Sequence, residues 1–143
     1  MGIKQSELVT PLTNGPSPLI PAGKPDNTKV FQVTRTDTAA GIVKAILPAQ
    51  SSVTGVFIYG SVASDAATTA TVTLTISNNG GTVSTGTVDV KANGAVTAIV
   101  QMSNLPNIEA IPANGDLKVV ATYAETGTAS TTGGPWKVRL EYV

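Results

Sequence analysis

A regular alternation of apolar and hydroxyl side chains over residues 70–77 constrains the fold of this chain more than any other feature. The segment reads ATVTLTIS, so every second residue is apolar and every other one is Thr or Ser. Successive side chains of a strand point to opposite faces, so this pattern predicts a strand with one buried face and one face of threonines. The Asn78-Asn79-Gly80-Gly81 run that follows predicts a hairpin whose tight turn has two consecutive residues with positive φ.

Further segments have the length and β-branched composition of strands. The returning strand of the hairpin carries Val83, Val88 and Val90, whose parity changes near Gly86, so a β-bulge or a break is predicted there. The last strand is nearly as regular as the first, with Trp136, Val138, Leu140 and Tyr142 predicted to point inward and Lys137, Arg139 and Glu141 outward. Weaker patterns predict strands over residues 29–34, 41–47, 53–60, 96–100 and 117–123, and loops over 105–116 and 125–135, the second long and mobile.

The chain is therefore predicted to be all-β. No segment has the length and 3.6-residue period of a helix, and roughly eight short strands at 8–12-residue spacing are typical of an antiparallel β-sandwich. A jelly roll is favoured over an immunoglobulin-like sandwich. The run Val56-Phe57-Ile58-Tyr59 is apolar on both faces, so the core is expected to cover one face and a second subunit or the arm described next to cover the other. These four residues are a possible oligomer face.

Residues 1–28 are predicted to form an extended, proline-rich N-terminal arm, and residues 29–143 the β-sandwich body. Five of the nine prolines lie in this arm. Proline fixes φ and lacks a backbone donor, so the arm can form neither a long helix nor a central strand. Such a segment is ordered only by attachment to neighbours, and the expected contacts of this partner-binding arm are its apolar residues Ile3, Leu8, Val9, Leu12, Leu19 and Ile20.

Composition excludes several classes of partner. Lys plus Arg equals Asp plus Glu at nine each, and like charges form no run, so neither nucleic acid nor a membrane surface is expected as a partner. No apolar stretch approaches the ~20 residues that span a bilayer. The N-terminus lacks a signal-peptide pattern, which predicts a cytosol-like compartment or a particle assembled there.

The chain also lacks the residues of common catalytic sites. It has no His and no Cys, which excludes Ser-His-Asp and Cys-His arrangements and cysteine metal sites. Its acidic residues are scattered singly rather than paired for glycoside hydrolysis, and Asp26-Asn27 and Asn114-Gly115-Asp116 are too sparse for a calcium loop. No catalytic residue, metal or cofactor is predicted, and the protein is expected not to be an enzyme.

Three segments carry a resemblance to a known family. The runs LPAQSSVTGVFIYGSVA, ATVTLTISNNGGTVSTGTVDVKANG and GGPWKVRLEYV resemble the small jelly-roll cement, or decoration, proteins of tailed-bacteriophage capsids, over roughly residues 30–143. Those proteins coat the outside of the shell as small homo-oligomers and clamp adjacent major capsid protein subunits. The resemblance implies a structural virion protein on the outer capsid surface, with the major capsid protein and its own copies, as a dimer or trimer, for partners.

Two further expectations complete this interpretation. The loop residues Asn107, Ile108, Ile111 and Asn114 are possible contacts with a partner, because exposed loops are readily shaped for binding. The alternative function is a β-sandwich adhesin or carbohydrate-binding module. A row of exposed aromatics would favour that alternative, whereas Trp136 and most of the tyrosines are predicted to point inward.

Overall fold

The computed structural model describes residues 27–91, 96–103 and 115–143. They form two four-stranded antiparallel sheets and no helix, which confirms the predicted all-β sandwich. The strands are β1 (Asn27–Val33), β2 (Val43–Leu47), β3 (Val53–Gly60), β4 (Thr69–Asn78), β5 (Gly81–Asp89), β6 (Val96–Ile99), β7 (Leu117–Thr126) and β8 (Trp136–Tyr142). Strand β1 begins two residues before the predicted start of the body, because Asn27 and Thr28 pair with Tyr142 and Glu141 of β8.

The strands are nested from the two ends of the body inward. Sheet A has the order β1-β8-β3-β6 and sheet B the order β2-β7-β4-β5. The first strand thus pairs with the last, the second with the seventh, the third with the sixth and the fourth with the fifth. This nesting makes β8 and β3 the central strands of sheet A, and β7 and β4 the central strands of sheet B.

Alternate side chains of both sheets meet in one core. Val72, Leu74 and Ile76 of β4 are at most 1% exposed, as their alternation predicted. Trp136 of β8 is fully buried and stacks on Tyr123 of β7, with ring centroids 5.5 Å apart and planes 14° apart. Offset or parallel ring pairs of this kind stabilise a core beyond the area they bury. The stack joins the two sheets through one strand of each.

The β4–β5 hairpin forms where the sequence predicted it, with two local differences. Asn78 pairs with Gly81, but Gly81 is the one residue of the turn with positive φ, so the prediction of two such residues was wrong. The irregularity in register lies at Val83, which is extra between Thr82 and Ser84, and not at Gly86.

Gly86 instead pairs regularly with Leu74 and leaves room for residues 101–103, a segment that crosses over it. A Cβ at this position would lie 2.7 Å from both the Gln101 carbonyl oxygen and the Met102 sulfur. The same segment covers β5, because the Ser103 N–H donates to the Thr85 carbonyl at 2.9 Å. The valine parity changes because Val83 is the extra residue, whereas Gly86 has the same inward parity as Val88 and Val90.

Gly86→Ala is therefore expected to lower the free energy of unfolding by roughly 1–3 kcal/mol through overpacking. Urea denaturation followed by tryptophan fluorescence measures the change. Thr82→Ala, at an exposed position of the same strand, is the control and should change stability by about 0.5 kcal/mol or less. Equal stability of the two variants would contradict the close approach at Gly86.

Candidate interaction surface

The outward face of sheet A carries a row of side chains that crosses all four strands. Val30 of β1 is paired with Arg139 of β8, and Phe57 of β3 is paired with both Arg139 and Ile99 of β6. Paired residues of neighbouring strands point to the same side of a sheet, so these side chains form one line. Its two ends are well exposed, Val30 at 56% and Ile99 at 61%.

The centre of this row is a contact between a cation and an aromatic ring. The guanidinium carbon of Arg139 lies 4.7 Å from the centroid of the Phe57 ring, within the range of a cation–π interaction. The ring also extends over Gly55, where an added Cβ would lie 2.9 Å from a ring carbon. Glu141 holds Arg139 from the other side at 3.4 Å, in an exposed ion pair that stabilises the fold little.

An open groove of about 350 Å³ lies along this row on the surface. It is lined by Phe57, Ile58, Tyr59, Ala98, Ile99 and Arg139. The lining is mostly apolar with one cation at its side, so it suits an apolar or aromatic side chain of a partner better than a charged small molecule. We call the outward-facing residues Val30, Gly55, Phe57, Tyr59, Ile99, Lys137, Arg139 and Glu141 the sheet A face.

The structure divides the possible oligomer face at Val56-Phe57-Ile58-Tyr59 into two pairs. Val56 and Ile58 are at most 1% exposed and belong to the core, so they are not available to a second subunit. Phe57 and Tyr59 lie on the sheet A face, and Tyr59 is 39% exposed. Period-two alternation requires this division, because neighbouring residues of a strand cannot share a face.

The outward face of sheet B is different in kind. Its threonine hydroxyls hydrogen-bond across the strands, with oxygen separations of 2.6 Å for Thr69–Thr126, 3.0 Å for Thr73–Thr87 and 3.5 Å for Thr75–Thr85. These hydroxyls already partner one another, which leaves a polar surface with little to gain from burial. Exposed large apolar residues of sheet B lie in and beside β2, at Ile42, Val43 and Ile46.

The remaining predicted contacts lie outside the described residues. These are the arm residues Ile3, Leu8, Val9, Leu12, Leu19 and Ile20, and the loop residues Asn107, Ile108, Ile111 and Asn114. The arm joins the body at Asn27, at the edge of sheet A.

Sequence reasoning missed Val30, Ile99 and Arg139 as parts of one surface. The alternation of β6 did contain a signal, because an inward Ala98 requires an outward Ile99. The pairing of β6 with β3 was the missing information, since alternation within a strand does not reveal which strand lies beside it.

Hydrogen bonds hold the β7–β8 connection (residues 127–135) against the β3–β4 connection (residues 61–68) at one end of the sandwich, which we call the loop end. Asp65 accepts from the Thr131 N–H and hydroxyl, both at 2.8 Å, and from the Thr132 N–H at 2.9 Å. The Arg35 guanidinium donates to the carbonyls of Ser130 and Thr131 at 2.9 and 3.0 Å. The stretch predicted to be a long, mobile loop is therefore tied to its neighbours at several points.

A second group of hydrogen bonds reaches from this connection into the core. The Tyr123 hydroxyl lies 2.7 Å from the Ser64 hydroxyl and donates to the Glu125 carboxylate, which also accepts from the Ser130 hydroxyl at 2.6 Å. The hydrogen bonds from Ser130 and Tyr123 lower the pKa of Glu125. Burial and the bond to Glu125 raise the pKa of Tyr123, so the phenol stays protonated. This geometry fixes the loop.

Over the described ranges, no three Asp, Glu, His or Cys side chains come close enough to hold a metal ion. Those ranges also contain no helix of the length and apolarity that crossing a bilayer requires.

The chain matches no protein-family model, no curated protein and no solved structure. The sheet A face and the loop end are therefore interpreted from their geometry.

Asp65 makes a pH prediction possible. The backbone hydrogen bond from Thr132 and the hydroxyl of Thr131 lower the pKa of Asp65 from its ordinary value of 3.8 to about 2. In the unfolded chain the group binds a proton near pH 3.8, so its stabilisation is complete above about pH 4 and is lost as pH falls toward 2. Thermal melts of wild type and Asp65→Asn should differ most at pH 6 and converge between pH 4 and 2. A constant difference would contradict the assignment.

Proposed function

We propose that the protein is a structural virion protein that binds the outside of a tailed-phage capsid and cements neighbouring major capsid protein subunits, stabilising the shell. It acts by attachment, without making or breaking covalent bonds. The observation that carries the proposal is the strand order, read together with the family resemblance of three sequence segments.

The nested order supports a jelly roll, the finer form of the sandwich that we propose. An immunoglobulin-like sandwich places its first two strands side by side in one sheet. Here β1 and β2 lie in different sheets, and each strand of the first half pairs with its counterpart in the second half. Jelly rolls are frequent in viral capsid and lectin domains. Because a fold hosts many functions, the surface must support the choice as well.

The sheet A face provides that second support. It combines exposed apolar residues with Arg139 and Lys137 on rigid strands, and such mixtures of apolar, aromatic and arginine side chains are typical of protein interfaces. The loop end beside Asp65 is fixed by hydrogen bonds, so the body has a defined shape at that end to fit against a partner.

The arm adds reach. A 28-residue segment spans at most roughly 90 Å when extended, which is enough to cross onto a neighbouring subunit. Burial of its six large apolar side chains gives roughly 9–18 kcal/mol gross, whereas ordering its backbone costs about 1–2 kcal/mol per residue. Attachment therefore needs added backbone hydrogen bonds, such as strand addition to an exposed sheet edge, and many copies on one particle.

The alternative, a carbohydrate-binding module or adhesin, keeps one specific observation in its favour. Tyr59 and Phe57 lie outward beside the groove, where a sugar ring could stack. The other rings of β7 and β8, Tyr123, Trp136 and Tyr142, are at most 8% exposed, so the surface row of aromatics typical of such modules is short. A saturable glycan-array signal that Tyr59→Ala abolishes would favour this alternative.

Co-sedimentation with capsids tests the leading proposal. The probe is the capsid of the phage that carries the gene, purified without this protein. Leu8→Asp combined with Leu12→Asp should weaken binding at least roughly 100-fold, because two apolar anchors worth roughly 1.5–3 kcal/mol each are lost. Binding isotherms from pelleting assays measure the effect.

A matched control separates loss of the arm contact from added charge. Thr82→Asp with Thr87→Asp adds the same charge at exposed positions of β5 in sheet B and should bind as wild type does. Equal binding by the arm variant and wild type would remove the arm from the proposal. Wild-type protein that never pellets with capsids would overturn the proposal itself.

A further inference from the structure

We propose that the sheet A face is a two-fold, face-to-face interface with a second copy of this chain, in which Lys137 of one copy lies opposite Glu141 of the other. The inference rests on the proposed function for the role of the oligomer on a shell. The pairing itself needs no shell and is tested without one.

The first step is the layout of the face in three rows. The middle row contains Val30, Arg139, Phe57 and Ile99. On one side of it Lys137 pairs with Tyr59, and on the other side Glu141 pairs with Gly55. From Lys137 through Arg139 to Glu141 along β8, the charges are therefore positive, positive and negative. From Tyr59 to Gly55 along β3, the outward positions change from a large ring to a residue without a side chain.

The second step is to ask which two-fold axis this layout permits. An axis parallel to the strands would place both copies of Lys137 at one end and both copies of Glu141 at the other, and like charges brought together oppose association. An axis across the strands, along the middle row, places Lys137 opposite Glu141 twice. Electrostatics therefore selects the second arrangement.

The aromatic side chains fit the same axis. With the axis along the middle row, Tyr59 of one copy lies opposite Gly55 of the other, which the Phe57 ring covers, so the two rings meet across the interface. Phe57 and Ile99 each meet their own counterparts, which buries apolar surface on both copies. Arg139 also approaches its counterpart. Each Arg139 is already paired within its own copy, with Glu141 at 3.4 Å and with the Phe57 ring, and these contacts offset the repulsion between the two guanidinium groups.

Area sets the expected strength. Four strands about 4.8 Å apart and seven residues long at about 3.3 Å each give roughly 400–500 Å² of face per copy. This is about half of what a stable interface buries on each partner. The dimer is therefore expected to be weak and to form mainly where copies are concentrated.

Sedimentation velocity of the full chain from about 10 µM to 1 mM covers the range of weak association. Wild type should shift from monomer towards dimer as its concentration rises. Lys137→Glu should raise the Kd at least roughly tenfold. The new glutamate of each copy would lie opposite Glu141 of the other, so the repulsion occurs at two places in a two-fold interface. Glu141→Lys should do the same through Lys–Lys repulsion. The double variant Lys137→Glu with Glu141→Lys reverses both charges and should restore the wild-type Kd to within about threefold.

Lys118→Glu on the outward face of sheet B is the matched control and should leave the Kd unchanged. Circular dichroism and urea melts establish that each variant is folded. A wild type that stays monomeric to the top of the series, or forms a trimer, would overturn the inference. So would a double variant whose Kd is as high as that of the single variants, or a Lys118→Glu control whose Kd rises as much as theirs. A capsid-binding monomer would leave the proposed function standing while this inference fails.

Discussion

Packing of alternate side chains between the two sheets is the interaction on which the rest of this structure depends. Its centre is the stack of Trp136 on Tyr123, which joins β8 of sheet A to β7 of sheet B. Both strands are paired on two sides, so neither can shift by one residue without turning its whole inward set to solvent. The stack thereby also fixes where Lys137, Arg139 and Glu141 point, and the surface chemistry of sheet A is a consequence of the core.

Much of the fold could be predicted because strong alternation leaves little freedom. The eight strands lie close to where the pattern put them, and the inward residues of β4, β7 and β8 are those that the alternation indicated. The surface was only half predictable. Phe57 and Tyr59 could be expected outward, but their neighbours Arg139 and Ile99 lie more than 40 residues away in the chain and reach them only through the β3–β8 and β3–β6 pairings.

The hydrogen bonds of the β7–β8 connection could not be predicted for a related reason. This stretch is rich in glycine and small polar residues, a composition that indicates mobility when it is judged alone. It is held by Asp65 and Arg35, which lie 66 and 95 residues away from their partners. A carboxylate that accepts several hydrogen bonds from one segment constrains it strongly, and no local pattern in the sequence records such a partner. Gly86 is similar, since the crossing segment that requires a small residue there is 15 residues further on.

The two outward faces of the sandwich differ in what they would gain from contact with a partner, although both come from alternating strands. On sheet B the outward threonines of β4 bond to hydroxyls of the neighbouring strands, so burial of that part of the face would remove water from groups that need no new partner. On sheet A the outward positions leave apolar rings and branched side chains exposed beside three charged groups in a directional order. Contact with a matching face would remove that apolar surface from water while pairing its charges. A face of this size would bind a second copy weakly, and the proposed repetition on a shell would strengthen that association, because neighbouring copies would be held at high effective concentration.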